Sequence, residues 1–526
     1  MPTGGSLQPP LLNDAHSIKV PPLDLPPSKP LVAVPDAESE RLKIVVKSLR
    51  ISGAQVFTQS ELIDACGFIA GTAYSLTQMR AMATCMERYY QGHGYPVAQA
   101  YLPAQDILDG AIGITVAEGH YAQVLVRNQS HVSAEVLSGV LQDIKTGDLV
   151  ASEALESQLL LLSDLPGVQM KSALVPGATF GSSDLMVDVL PGRRVTGSID
   201  ADNAGNYYTG ALRVGATLFL NEPTGEGDVA SLRLLTSGVG LNYFRVAYQL
   251  QVGRARVGAA YSNLDYTLGQ GYESLQANGS TSTMGFFGSY PLLRSRNANL
   301  FVGGSYESKR FEDRLDSVAS TTEKTAHVFT ASVTGDRRDN LGSGGLSAFA
   351  LTLSSGNVTN QAAAPGNGQF NKLAYSASRL QSLSSSFAFY AGINGQLASR
   401  NLDASEKMEL GGMFAVRAYL EGEGYGDEGY VLNLEARWLL PQWSPRAIGQ
   451  LQLVGFIDTG SVTLDKNPWS AESNQRNLSG AGIGLNWSSA DKFQVRLAYA
   501  HKLGDEAARS APDANDRLWM QAIKYF

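Results

Sequence analysis

Few residues in this 526-residue chain are spaced for covalent chemistry. The six histidines, His16, His93, His120, His131, His327 and His501, are scattered and form neither an HExxH nor any paired metal-ligand spacing. The sequence contains no Walker loop, no GxSxG elbow and no CxxC pair. The acidic run EGEGYGDE, 421–428, lacks the spacing of a calcium loop. The expectation is therefore a protein that is not an enzyme and uses no metal and no cofactor. What remains is pairing chemistry. Arg417 is the single arginine of a glycine-rich, acidic stretch, GGMFAVRAYLEGEGYGDEGY, residues 411–430. Its guanidinium is a rigid fork of donors suited to a carboxylate. In isolation it reads as a solvated loop arginine, so its meaning depends on which carboxylate the fold brings to it.

Composition narrows the fold that could do so. Charged residues make up 17% and the net charge is −8, a balance that argues against a nucleic-acid binder, which would show a basic patch or stripe. No run of 18 apolar residues occurs, so a helical membrane span is not expected. A transmembrane β-barrel remains open, because its alternating strands average to the hydropathy of a soluble protein. The opening MPTGGSLQPPLLNDAHSIKV has no basic n-region followed by an apolar h-region, so no signal peptide is expected in this chain, which reads as a mature form.

Three zones follow from patterning. Residues 1–43 form a proline-rich segment or linker; nine of the 21 prolines lie there, so the segment is expected to be extended, as a disordered tail or as a strand threading a pore. Residues 44–119 and 120–194 read as two small α/β units, each in the order strand, helix, helix, strand, strand. In the first, IVVKSLRISG is the opening strand. Thr58 caps a helix with Glu61 at the capping-box spacing, and Met79, Met82, Cys85 and Tyr89 share one face of the next helix. The second repeats the order at a period of roughly 75 residues.

From residue 195 to 526 the period is two. Phe244, Val246, Tyr248, Leu250 and Val252 alternate with Arg245, Ala247, Gln249 and Gln251. Tyr430, Leu432, Leu434, Ala436 and Trp438 alternate with Val431, Asn433, Glu435 and Arg437, and Phe493, Val495, Leu497 and Tyr499 repeat the pattern. A soluble sandwich can alternate too, but 332 residues without a helix, with aromatics near strand ends, favour a barrel in lipid. At about 20 residues per strand with its connection, roughly 16 strands are expected. The fold class is thus mainly β, a 16-stranded antiparallel transmembrane β-barrel behind two small α/β domains. The chain ends on Phe526, with Lys524 where such terminal strands usually carry a hydrophobe.

Taken together, these segments resemble the outer-membrane transporters of two-partner secretion (TpsB type; haemolysin and filamentous-haemagglutinin secretion-activation proteins) of the Omp85 superfamily. The matching residues are LLLLSDLPGV and LVPGATFGSSDLMVDV in the second α/β unit, DNAGNYYTG at 202–210 and NEPTGEGD at 221–228. The resemblance implies that the α/β units are POTRA domains. It also implies that the stretch around 411–429 is a loop folded into the barrel with a VRGY motif at its tip. Val416, Arg417 and Tyr419 match that motif, and Ala418 replaces its glycine. GFIDTG matches the family's wall motif as Phe456, Asp458 and Gly460. If Leu451 and Leu453 face lipid, Gln452, Val454, Phe456 and Asp458 face the lumen, and the resemblance pairs Arg417 with Asp458. Should the family glycine need a positive φ, Ala418 would be strained.

The implied function is a pore in the Gram-negative outer membrane, with its POTRA domains in the periplasm. It would export a large secreted exoprotein of the β-helical adhesin or haemolysin type without ATP. The POTRA domains would recognise that partner, outer-membrane lipid would surround the barrel, no nucleic acid would be involved, and the transporter would act as a monomer. The alternative is an Omp85-type assembly factor inserting β-barrel proteins; a passive porin would not need the duplicated units. In an oxidising periplasm Cys66 and Cys85 are candidates for a disulfide between the two helices of the first unit, two buried thiols being the alternative.

Overall fold

The computed structural model describes residues 2–4, 6–7, 23–24, 43–107, 109–361, 366–442, 448–469, 471 and 473–526. It divides into one unit within residues 16–192 and another comprising residues 193–526 with the first residues of the chain. The proline-rich segment lies outside the described residues, apart from 2–4, 6–7 and 23–24.

The first unit contains β1 (Leu23–Asp24), β2 (Lys43–Val46), β3 (Ser48–Ser52), α1 (Gln59–Ala65), β4 (Thr72–Ser75), α2 (Leu76–Gly92), β5 (Gln99–Tyr101) and β6 (Ala111–Ala117). It continues with β7 (His120–Asn128), α3 (Ala134–Val140), α4 (Ser152–Ser163), β8 (Val168–Pro176) and β9 (Ser182–Pro191). The internal duplication is visible in the pairing. β3 runs parallel to β6 with β5 antiparallel beyond it, and β7 runs parallel to β9 with β8 antiparallel beyond it. β1 adds in parallel to the outer edge of β8.

Two expectations for the first α/β domain need correction. IVVKSLRIS is not one strand: it breaks at Lys47, whose N–H turns to the Gly110 carbonyl, and β2 pairs with the unforeseen β4 in a sheet of its own. The buried stripe of α2 is Met79, Ala83, Met86 and Tyr90, not Met79, Met82, Cys85 and Tyr89. Cys85 and Tyr89 flank that stripe because Cys85 is bonded to Cys66 and Tyr89 packs edge-on against Phe57 at 5.1 Å. The capping box at Thr58 and Glu61 is present, and Ser75 with Gln78 makes a second at the start of α2. Under α2, the buried Glu118 carboxylate accepts from Tyr90 Oη at 2.8 Å and from the N–H groups of Gln55 and Val56. Burial, then this carboxylate, pushes the Tyr90 phenol well above its ordinary range.

The barrel is β10 (Val195–Asp202), β11 (Arg213–Asn221), β12 (Val229–Thr236), β13 (Leu241–Val252), β14 (Ala255–Thr267), β15 (Ala277–Arg294), β16 (Ala298–Leu315) and β17 (Ser320–Asp339). It is completed by β18 (Gly345–Asn360), β19 (Gly368–Ser382), β20 (Phe387–Ala398), β21 (Glu428–Leu439), β22 (Gln450–Thr463), β23 (Gln475–Ser489), β24 (Phe493–Lys502) and β25 (Asp516–Tyr525). These sixteen strands pair in sequence order and β25 closes on β10, as the alternation predicts. DNAGNYYTG lies almost wholly beyond β10 and forms the first turn at the far end, opposite the end where the chain enters the barrel.

The outer wall carries the apolar alternation: Phe244, Val246, Tyr430, Trp438, Leu497 and Tyr499 are exposed on it. Among the described residues no helix is long and apolar enough to cross a membrane. β15 to β19 have 15 to 20 residues, more than the expected span of about 9–11. The reason shows on their outward faces. Past Tyr306 and Phe329 these turn polar, through Ser308, Arg310 and Glu312 and through His327 and Thr325, so the excess projects beyond the apolar band at the far end. Lys524 sits exposed at the entry end, where its stem can lie on the wall while its ammonium reaches headgroups.

Candidate functional site

Between β20 and β21 the chain does not return directly. Residues 399–427 fold into the lumen, and Arg417 reaches the inner wall. The wall position follows from parity: on β22, Val454, Phe456 and Asp458 are buried inward while Leu453 and Ile457 are exposed outward.

The structure brings Arg417 and Asp458 together. Arg417 Nε donates to Asp458 Oδ2 at 2.8 Å, Nη2 donates to Oδ1 at 2.7 Å, and its backbone N–H donates to Oδ2 at 3.1 Å. The third nitrogen, Nη1, donates to Glu435 Oε1 on β21 at 2.9 Å, and the guanidinium lies 3.5 Å from the ring centroid of Phe456. Asn433 Nδ2 donates to both Asp458 Oδ1 and the Ala415 carbonyl. Asp458 is fully buried, and the Arg417 side chain is 12% exposed. This is a bidentate, charge-assisted contact in which every guanidinium nitrogen has a carboxylate partner and Asp458 gains a further donor from Asn433, the kind of arrangement in which a buried ion pair is tolerated.

The supporting residues shape the tip. Val416 is buried and its N–H donates to the Leu410 carbonyl, while Tyr419 is buried and donates from Oη to the Glu506 carbonyl at 2.9 Å. Gly460 gives Leu410 room: a Cβ there would meet its Cδ2 at 2.9 Å. Ala418 is not among the residues with positive φ, so alanine carries no backbone strain there; its methyl packs onto Gly480, where any side chain would collide with it. The Trp519 indole on β25 donates to the Arg417 carbonyl at 2.7 Å.

Sequence reasoning put Asn433 and Glu435 on the same face of one alternating strand without linking them to Arg417. Parity indicates which wall a side chain faces, but only register puts Glu435 beside Phe456 and Asn433 beside Asp458. The clamps at the loop base were not legible either. Lys309 and Lys372 both meet Glu406, and Lys324 meets Asp403. The first residues of the chain also enter this region: the Gly4 N–H donates to Asp313, the Ser6 carbonyl accepts from Tyr425 Oη at 2.8 Å, and Leu7 is buried beside Leu264 and Tyr266. In the small domains, Cys66 and Cys85 are bonded, with their Cα atoms 5.9 Å apart. Among the described residues no cluster of His, Cys, Asp and Glu is arranged to hold a metal.

Comparison with known proteins matches residues 181–487 to the family described as haemolysin secretion/activation protein ShlB/FhaC/HecB, and residues 44–119 to the ShlB-type POTRA domain. The chain is 30% identical over 474 residues to the heme/hemopexin transporter protein HuxB of Haemophilus influenzae, covering 87% of this chain and 82% of that one. It is 24% identical over 482 residues to the outer membrane transporter CdiB of Escherichia coli, covering 88% of this chain and 80% of the relative. The solved structure of CdiB from Escherichia coli superposes with a TM-score of 0.73 at 23% identity, over 94% of each chain.

Proposed function

Because the chain belongs to the haemolysin secretion/activation family ShlB/FhaC/HecB, and so is an outer-membrane transporter of the two-partner secretion type, we propose that it exports one large exoprotein of adhesin or haemolysin type to the cell surface without ATP. In this reading the entry end of the barrel is periplasmic, the far end is extracellular, and the transporter acts as a monomer. The POTRA domains capture the unfolded partner by strand addition, which takes affinity from the backbone and selectivity from side-chain pockets. The edge favoured for this is the later half of β7. Residues 147–150 cover its start, but Leu125 and Val126 are exposed, whereas the outer edge of β8 already carries β1. Folding of the partner outside the cell supplies direction.

The observation that carries the reading is the loop seated in the lumen by Arg417 on Asp458 and Glu435. A pore that admits an extended chain must move this loop, and the buried pair fixes where it rests and returns. Removing one partner of such a pair leaves an uncompensated buried charge, a cost of roughly 3–5 kcal/mol. Arg417→Ala is expected to cut secretion of the partner exoprotein, with barrel insertion, read by heat-modifiable gel mobility, unchanged. Arg417→Lys should fall nearly as far, because a single ammonium nitrogen cannot reproduce the parallel Nε and Nη2 contact on Asp458 while Nη1 holds Glu435. Normal secretion by Arg417→Ala would overturn the reading.

A further inference from the structure

The inward loop has a second anchor, well away from Asp458 and built from different chemistry. Glu423 is 1% exposed, and its carboxylate is surrounded by donors. Arg476 on β23, itself 2% exposed, pairs with Oε1. Oε2 accepts the backbone N–H of Arg509 at 2.8 Å, that of Ser510 at 2.9 Å and the Ser510 hydroxyl at 2.8 Å. Residues 503–515, which supply those N–H groups, form the last far-end loop, between β24 and β25. Arg476 holds the same loop through Glu506 Oε2 at 2.9 Å and the Ala507 carbonyl at 3.0 Å.

This hairpin grips the inward loop at three heights. Glu423 docks on its crest, Tyr419 Oη donates to the Glu506 carbonyl, and Trp519 on β25 donates to the Arg417 carbonyl at the tip. A loop carrying the tip motif could leave the wall only by abandoning the 503–515 loop or by taking it along. A carboxylate satisfied by two consecutive backbone N–H groups, a hydroxyl and an arginine is oriented far more tightly than a surface ion pair.

We infer that Glu423 is a positioning residue for translocation: its carboxylate, held by Arg476 and the backbone of Arg509 and Ser510, couples the inward loop to the last far-end loop, so that the Arg417 tip and the 503–515 segment release together. This rests on the reading of the inward loop as the moving part of the pore.

Amide hydrogen exchange of the purified full-length protein in detergent or liposomes tests it, because protection reports local opening at each segment separately. Glu423→Ala should speed exchange in 505–512 and, by coupling, at the tip in 415–419, each by roughly tenfold or more. Glu423→Gln keeps acceptors for Arg509 and Ser510 but loses the charge pair with Arg476, and should give a smaller effect in the same two segments. The readout at 415–419 is one that a merely local role of Glu423 would not move. If 505–512 loosens while 415–419 keeps its protection in both variants, the coupling is overturned. Arg417→Ala serves as the reference: a tip loosened by Arg417→Ala but not by Glu423→Ala sinks the latch alone, whereas a tip indifferent to Arg417→Ala sinks the gating reading itself.

Discussion

Arg233 on β12 reaches across β11 to Asp200 on β10, pairing with both carboxylate oxygens, with Nη2 donating to Oδ2 at 2.8 Å. It can do so because the intervening residue is Gly215: a Cβ there would lie 2.5 Å from Arg233 Nη2 and 2.6 Å from Asp200 Oδ2. The pair matters because β10 closes the barrel. Its junction with β25 has five registered pairs, from Ser198 with Tyr525 to Asp202 with Gln521, against eight between β10 and β11. Gly215 does not use a positive φ, so alanine fits the backbone and disturbs only the pair. Gly215→Ala should lower the temperature at which the barrel loses its compact gel mobility, and Asp200→Asn should do so less. An unchanged transition in Gly215→Ala would mean that the pair does not hold the closing strand.

At the tip, Trp519→Phe keeps an aromatic ring but removes the indole N–H that serves the Arg417 carbonyl, together with part of a buried bicycle. A buried hydrogen bond of this kind contributes about 1 kcal/mol. The variant should fold and insert normally, with exchange at 415–419 faster by roughly fivefold. Protection equal to that of the unsubstituted protein would show that the carbonyl finds another donor.

Period-two alternation gives the barrel, its strand number and the inward direction of Asp458, because lipid on one side and polar lumen on the other act on every second residue. It cannot give register. Asn433, Glu435 and Phe456 converge on Arg417 only through pairing offsets set by connections whose lengths carry no visible rule. The break at Lys47 was hidden for a related reason: IVV and LRIS both read as strand, and the Gly110 carbonyl that turns the Lys47 amide is contributed from sixty-odd residues away. Glu423 looked like one more acidic residue in a pliant loop, since its partners lie on β23 and in the last loop.

The Cys66–Cys85 bridge spans 19 residues and joins the end of α1 to the middle of α2. Closing a loop of that size removes denatured-state entropy worth about 3 kcal/mol in the chain-entropy model. Reduction, or the Cys66→Ser and Cys85→Ser pair, should therefore open residues 59–92 to exchange and proteolysis while the barrel keeps its heat-modifiable mobility. If the first POTRA domain resists protease equally with and without reductant, the bridge adds nothing to its stability.

Glu222 offers a pH-dependent test in the turn joining β11 to β12 at the entry end. It is buried with φ 54°, and its Oε1 has no hydrogen-bond partner among the described residues. Six residues on, Asp228 is fully buried, and burial opposes its charge. Hydrogen bonds from Tyr248 and Thr224 outweigh that burial and hold its carboxyl below the usual range. Burial first, and then this neighbouring charge, push Glu222 up from 4.5 to about 7. The folded state therefore holds a proton that the unfolded chain has released between those values, and stability falls as pH rises through that window. Below it both states are protonated, and above it the full penalty, roughly 3 kcal/mol, is in place. Glu222→Gln should match the unsubstituted barrel near pH 4 and exceed it near pH 8 in urea-unfolding midpoint. A variant equally destabilised at both pH values would place the cost in the shape of the turn and not in the buried charge.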